Sequence, residues 1–531
     1  MATANESEVT SKPSEIITNV RLSNYKDEVR DITDLVYGFS IYEDLFSPTC
    51  SCELIVTDAE GLNTTFPIVG DEHVTIIYKT RGTKTNKEQY TTRVRSFQIY
   101  KMSKVVESSE RQQNYKLHGV DDHLIMNEMI DLNNSYVGSN CVKAISDIFK
   151  SNFIKNVNDE FRPFTIYPKL YGINTEDVQE STNSSFYISP GVTPFEAITY
   201  LRGEAEHKNL SNSSDYVFYQ DYNGFHLTTL TELKSQPTQY SYIVQDMAAD
   251  KEDKTAKVGQ QSDNDELDDA KTVLEFDIQK TFDSIHHLGL GTYGNRVAAI
   301  DILTKRFDEK SFSYFDEYKS LNTMDVGRLI SPNSLYRFSG STHTRYLPTE
   351  LLSSSIPTGE PTGFTNEIPN YNSTPYFYPI DKEKPDPKKD KVEGTISNKS
   401  ANERQRDLLS RDTKLSNPRR KHYMLNKRVS NKGVLDTMLI DLVVPGNSDL
   451  KVGDTINFYI PQTSAELDGE LYNFFFGQKN PKFLIVKLNQ KYISKVSSYH
   501  TIMTVTKDSY KDEITTIMKK VADSKGAPSD Q

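Results

Sequence analysis

A two-residue hydrophobic alternation running through residues 34–78 constrains this chain more than any other feature. Val36, Phe39, Ile41 and Tyr42 alternate with polar neighbours, as do Cys50, Cys52, Leu54 and Val56. A period of two sends successive side chains to opposite faces, so these runs read as strands with one buried face. Ser47-Pro48 and Glu60-Gly61 punctuate them, and after Gly70-Asp71 a third strand runs from Val74 to Tyr78. Ile16 to Leu22, Tyr90 to Met102 and Asn114 to Val120 continue the pattern, separated by polar turns at 80–89 and 107–113. This spacing predicts a small antiparallel barrel or sandwich over 16–120, preceded by a polar arm at 1–15.

A length of 531 residues is too great for one core and suggests about three or four domains. Only 36% of residues are hydrophobic and the mean hydropathy is −0.61. Long polar loops, or surface covered by another chain, would account for so low a value. Tyr (31) and Phe (25) are abundant while Trp is absent, a bias that favours strands and interfaces. The net charge of −12 argues against general nucleic-acid binding and against docking on anionic membranes. Three cysteines cannot build a disulfide framework, which fits a reducing compartment. The first residues carry no apolar run of the secretory kind, and no stretch approaches the roughly 20 apolar residues of a membrane helix.

After Asp121 the period changes. Val142, Ile145 and Phe149 share one face of an amphipathic helix within 140–153. Thr193 with Glu196 forms a capping box and Pro194 takes the first helical position, so a second helix runs through Ala197, Ile198, Leu201 and Ala205. A hairpin is expected over 215–230 about the turn Asp221 to Gly224. Residues 121–240 thus read as a small α+β domain, followed by an acidic linker at 241–270. Strand alternation resumes at 272–280 and 296–303 within 271–345, the first part of a second barrel. Residues 346–420 are a long polar insertion rich in Pro, Ser, Thr and Asn, with a short helix at 401–410. Residues 434–510 are all strand, so 421–510 forms the closing part of the second barrel, with a tail at 511–531. Gly70-Asp71 and Gly453-Asp454 each introduce an alternating strand, followed by a strand, a polar turn and a closing strand. The two ends therefore read as an internal repeat. The fold class expected is β-rich α+β: two tube-like antiparallel β-barrels flanking a small α+β domain.

Motifs that could carry chemistry are sparse. Gly289, Gly291 and Gly294 match a dinucleotide fingerprint, but His286-His287 precede them and a strand-like run follows, so they read as a turn. Cys50 and Cys52 lack the further ligands of a structural zinc site and read as buried apolar side chains. The acidic run at 263–269 lacks the glycine and terminal glutamate of a calcium loop. No catalytic residue, cofactor or metal ligand is assigned, and the chain reads as a non-enzyme.

The order of elements, with GFSIYEDLFSPTCSCELIVTDAEGL at 38–62, PGVTPFEAI at 190–198, PGNSDLKVGDTINFYIP at 445–461 and YHTIMTVTKDSY at 499–510, resembles the central baseplate hub proteins of contractile-tailed bacteriophages. These are relatives of the hub part of type VI secretion spikes. The resemblance implies a homotrimer in the virion tail baseplate, assembled in the host cytoplasm, with no membrane insertion. It implies a ring that adapts the sixfold tail tube to the threefold central spike. Its partners would be the tail tube protein, the spike protein, other baseplate proteins and a tape measure protein. Viral DNA would pass through the channel without specific binding, and the negative charge would keep it mobile. Subunit contacts are expected at Phe474, Phe475 and Phe476, because three consecutive Phe cannot all face one core. The hairpin tip with Thr80, Arg81, Lys84, Asn86 and Lys87 is a second expected contact. A tail adhesin that binds a receptor and a tail-associated carbohydrate-active enzyme are the competing readings.

Overall fold

A computed structural model describes residues 16–24, 26, 28–81, 90–109, 112–137, 139–154, 170–171, 185–188, 190–207, 214–244, 272–301, 306–314, 321, 323–325, 327–328, 373–376, 417–467, 470–473, 481–496 and 498–510. The alternating stretches form the strands expected of them. The first lobe contains β1 (Ile16–Ser23), β2 (Val29–Asp31), β3 (Val36–Asp44), β4 (Ser51–Asp58), β5 (His73–Arg81), β6 (Tyr90–Ser109) and β7 (Gln112–Val120), with a one-turn helix α1 (Leu62–Thr65) between β4 and β5. Val20, Ile41, Leu54, Ile76, Phe97 and Leu117, from six different strands, pack into one buried cluster, so the sheet curls around its own core. In β3 the inward positions after Val36 are Phe39, Ile41 and Glu43, while Tyr42 takes the other face and donates to Glu53 at 3.1 Å.

The middle of the chain is the α+β part. Here α2 (Asp122–Glu128), β8 (Ser135–Val137), α3 (Cys141–Phe153), β9 (Leu170–Tyr171), β10 (Ser185–Tyr187) and α4 (Pro194–Glu204) precede the hairpin of β11 (Tyr216–Gln220) and β12 (Phe225–Thr229). The predicted capping box of Thr193 and Glu196 is present in both directions. A second one, Thr229 with Glu232, starts α5 (Leu230–Ser235). Phe149, Phe153, Phe195, Phe218 and Phe225 fill this core, with Phe149 and Phe225 centroids 5.1 Å apart.

The second lobe is assembled from separated pieces. It takes β13 (Tyr240–Ile243) and β14 (Glu275–Lys280). Next come α6 (Ser284–Gly289) and a side sheet of β15 (Gly294–Asp301), β16 (Arg306–Ser313) and, after the short β17 (Gly327–Arg328), β18 (Ser373–Tyr376). Of the fingerprint glycines, Gly289 ends α6, Gly294 starts β15, and Gly291 lies in the turn between them with φ +74°. Then α7 (Asn417–Leu435) leads into β19 (Met438–Pro445), β20 (Thr455–Tyr459), β21 (Pro461–Leu467), β22 (Glu470–Asn473), β23 (Lys482–Ile493), β24 (Ser498–Lys507) and β25 (Ser509–Tyr510). Helix α7 is absent from the sequence expectation because it buries Asn426, Lys427, Ser430 and Asn431, which leaves no apolar period to read. The expected helix at 401–410 lies outside the described residues.

Strands of both lobes join in one 13-stranded sheet. Among the described residues no closed barrel forms, although Ile243 of β13 makes a parallel bridge to Thr272, just ahead of β14. Within it, the order β3-β4-β7-β6-β5-β1 is repeated as β14-β19-β24-β23-β20-β13. The likeness extends to individual residues. Val74 pairs with Phe97, and Ile456 with Phe483. Ile99 N donates to Glu72 O at 2.8 Å, and Ile485 N to Asp454 O at 2.9 Å. A bulge follows at Ile99/Lys101 in one lobe and at Ile485/Lys487 in the other. Through this register Phe39 and Ile41 of β3 correspond to Phe276 and Ile278 of β14. Glu53-Leu54-Ile55-Val56 corresponds likewise to Asp441-Leu442-Val443-Val444. The Gly-Asp alignment of the two ends is therefore out by one, since Asp454 matches Glu72 rather than Asp71. Both carboxylates close the preceding turn: Glu72 accepts from Gly70 N at 2.8 Å and Asp454 from Lys451 N at 3.3 Å. The copies part at the end of the order, where β1 runs antiparallel to β5 but β13 runs parallel to β20.

Candidate functional site

The two lobes meet along one strand. Residues Lys482–Leu484 of β23 pair with β20, and after the bulge Lys487–Ile493 pair with Asp44–Gly38 of β3 on the same edge. Leu45 N then donates to Val486 O at 2.9 Å, so the bulge residue itself ties down the end of β3. Each lobe also lends a residue to the other: Leu45 packs in the second core and Tyr499 in the first.

Beside this seam lies a buried polar junction to which the α+β part also contributes. Tyr78 and Tyr499 both donate to Gln490 Oε1, at 2.8 and 3.2 Å. Thr80 and Ser448 share a short hydrogen bond. Arg93 pairs with Asp449 at 2.9 Å and its guanidinium lies 3.8 Å from the Tyr222 ring centre. Arg95 faces Glu43 at 3.4 Å. Gln220 accepts from Cys50 N at 2.9 Å and donates to Asp121 at 2.6 Å. Asp221 meets His226 at 2.9 Å and Lys451 at 3.7 Å.

Burial sets the electrostatics. It pushes the Glu43 carboxyl up to about 7; Arg95 pulls the other way, while Asp221 and Asp454 add to the rise. Burial also opposes the Arg95 charge, yet Cys50, Glu43 and Tyr78 hold that group protonated, so the fixed cation of the pair is Arg95. Burial raises the Asp221 carboxyl too, but His226, Lys451 and the Asn223 amide outweigh it and keep the group ionised. The Cys50 and Cys52 thiols are pushed well up by burial, which leaves them weak nucleophiles. The chemistry available here is cohesion. The junction is buried at Glu43, Arg95 and Asp221, is partly open at Lys451, Arg93 and Asp449, and joins three parts of the chain. Among the described residues no group of three or more His, Cys, Asp or Glu is arranged to hold a metal ion. Among the described residues no helix is long and apolar enough to cross a membrane.

Of the contact residues expected from the sequence, Thr80 lies in this junction, buried at 2% exposure against the second lobe of its own chain. Arg81 ends β5, its backbone opposite Tyr90. Lys84, Asn86, Lys87, Phe474, Phe475 and Phe476 lie outside the described residues. Sequence reasoning missed Glu43 and Arg95, although a signal was present. Glu43 keeps phase with Phe39 and Ile41, and Arg95 with Phe97 and Ile99, so each is a charge on the buried face of a strand.

A different surface is left open. Strand β14 ends the sheet among the described residues; Leu274 and Phe276 are exposed there, as are Phe282 (70%), Ile285 (86%) and Leu290 in the segment that follows. On the first lobe, β5 leaves β6 at Gln98, and past that point β6 exposes Tyr100 and Val106 (58%).

No protein-family profile matches the chain, and no curated protein matches it. Similar solved structures are phage tail and baseplate proteins and type VI secretion proteins. A tail protein from Neisseria meningitidis is 10% identical, over 93% of this chain and 97% of that one, with a TM-score of 0.45. A 43 kDa prophage tail protein from Shewanella oneidensis is 8% identical, over 93% and 99%, with a TM-score of 0.43. An Escherichia coli component of the type VI secretion system is 7% identical, over 90% and 74%, with a TM-score of 0.32.

Proposed function

We propose that this chain is a structural subunit of a phage tail baseplate, acting as a trimeric central hub between tail tube and spike. The observation that carries the reading is the repeat together with its unequal edges. Within the chain, β3 of the first lobe lies on β23 of the second, past its bulge. The equivalent of β3 is β14, whose outer edge is unpaired among the described residues and rimmed by apolar side chains. The equivalent of β23 is β6, whose edge past the bulge is likewise unpaired by β5. Applying the internal contact once more places β14 of one chain on β6 of the next. Such a head-to-tail contact closes into a ring when the rotation permits. Three chains would then present six similar lobes, which suits a partner with sixfold symmetry on one side and threefold on the other.

The polar, tightly held junction supports the same role, since a symmetry adaptor needs its two lobes at a fixed angle. An exposed apolar edge strand is an aggregation liability unless a neighbour covers it. The two tube-like barrels, the spike, tube, baseplate and tape measure partners, and DNA passage through a negative lumen belong to this proposal.

Sedimentation and negative-stain imaging of the purified chain test it. A threefold ring with an open centre is expected, and the double variant Phe282→Asp/Ile285→Asp should sediment as a folded monomer. A monomeric wild type, or a fibre, contradicts the hub.

A further inference from the structure

We propose that Arg202, Arg428 and Lys432 form a cationic anchor for an acidic segment, adjacent Asp or Glu side chains, of a neighbouring protein. The proposal does not rest on the hub reading. Arg202 occupies the last turn of α4. Arg428 crosses from α7 and donates through Nη1 to the Gly203 carbonyl, which fixes the two helices against each other. The contact is close: a Cβ on Gly203 would lie 3.2 Å from that nitrogen. Lys432 follows Arg428 by one helical turn and so shares its face.

All three side chains are half-buried, and among the described residues none forms an ion pair with a carboxylate. Burial and the neighbouring Arg428 lower the Arg202 proton affinity. Burial, with Arg202 and Arg428, brings the Lys432 amine down to about 8, and Asp215 works the other way. Crowded, desolvated like charges are unfavourable unless an opposite charge arrives from outside. The anchor is a small group where Arg428 reaches the end of α4 rather than a basic stripe, and the chain carries −12 overall. Both features favour a few carboxylates over a nucleic-acid backbone.

Calorimetric titration of the full chain with a hexaglutamate peptide at low salt tests this, alongside inorganic phosphate and a single-stranded oligothymidylate. Saturable peptide binding is expected, weakened at least about tenfold in Arg202→Gln/Lys432→Gln, in line with loss of charge-assisted hydrogen bonds. Arg428 is kept because it holds Gly203. The unliganded double variant should melt no lower than the wild type, since a repulsion has been removed. Peptide affinity unchanged by the double substitution overturns the proposal. Phosphate or the oligonucleotide binding as tightly as the peptide also overturns it, as does early melting of the variant, which would mark the cluster as structural.

Discussion

Strands β3 and β14 occupy the same place in the two halves of the sheet, carry the same Phe-x-Ile core and end in opposite circumstances. Phe39 and Ile41 are buried at 2% exposure, and the Phe39 ring lies 5.2 Å from Tyr492 on the neighbouring strand. Phe276 is 38% exposed, and β14 has a partner on one side alone, β19, among the described residues. The difference teaches that strand design alone does not bury an edge; a neighbour does. The first lobe finds its neighbour in its own chain, and the second has none there among the described residues.

If the lobes are true copies, matched core positions should respond alike. Phe97→Ala and Phe483→Ala remove rings that are 1% and 0% exposed at equivalent positions. Each should cost about 3–5 kcal/mol in denaturant unfolding. A large loss at one position with a trivial loss at the other would break the equivalence.

Arg95→Ala should destabilise by a comparable amount, about 3–5 kcal/mol, because it strands Glu43 at 4% exposure without its counter-ion. Replacing both partners with apolar residues should cost less than Arg95→Ala alone. A double-mutant cycle with no coupling would remove the ion pair from the account of the seam.

The smallest effect is in pH. Glu43 rises from an ordinary value of 4.5 to about 7 on folding. The folded chain therefore holds this proton more tightly than the unfolded chain. The stability it contributes is complete below pH 4.5 and is lost as the pH climbs to about 7. Glu43→Gln should flatten that part of the stability profile, and an unchanged slope would assign the pH dependence to other groups.

Much of the architecture was legible because alternation and capping are local signals. Strands β3 to β7, helix α3 and the Thr193 capping box follow directly from period and cap chemistry. The repeat was legible in outline but misaligned by one, because a Gly-Asp turn is a weaker marker than Phe-x-Ile followed by an acid-Leu-Ile/Val-Val strand. Helix α7 was hidden because it buries amides, a hydroxyl and Lys427. The junction was hidden for another reason. Its members, from Glu43 to Tyr499, are brought together by a strand that changes partner at a bulge, and no sequence window contains both sides of that exchange.

In the proposed ring, β14 of one chain lies on β6 of the next as β3 lies on β23. Phe276, the counterpart of Phe39, would then fall opposite the 106–107 stretch of β6. Cysteines introduced together as Phe276→Cys and Val106→Cys test this directly, since the natural Cys50, Cys52 and Cys141 are all buried. Under mild oxidation and non-reducing electrophoresis a covalent ladder that stops at three chains is expected. Dimers alone, or no intermolecular bond in a variant that remains assembled, would contradict it.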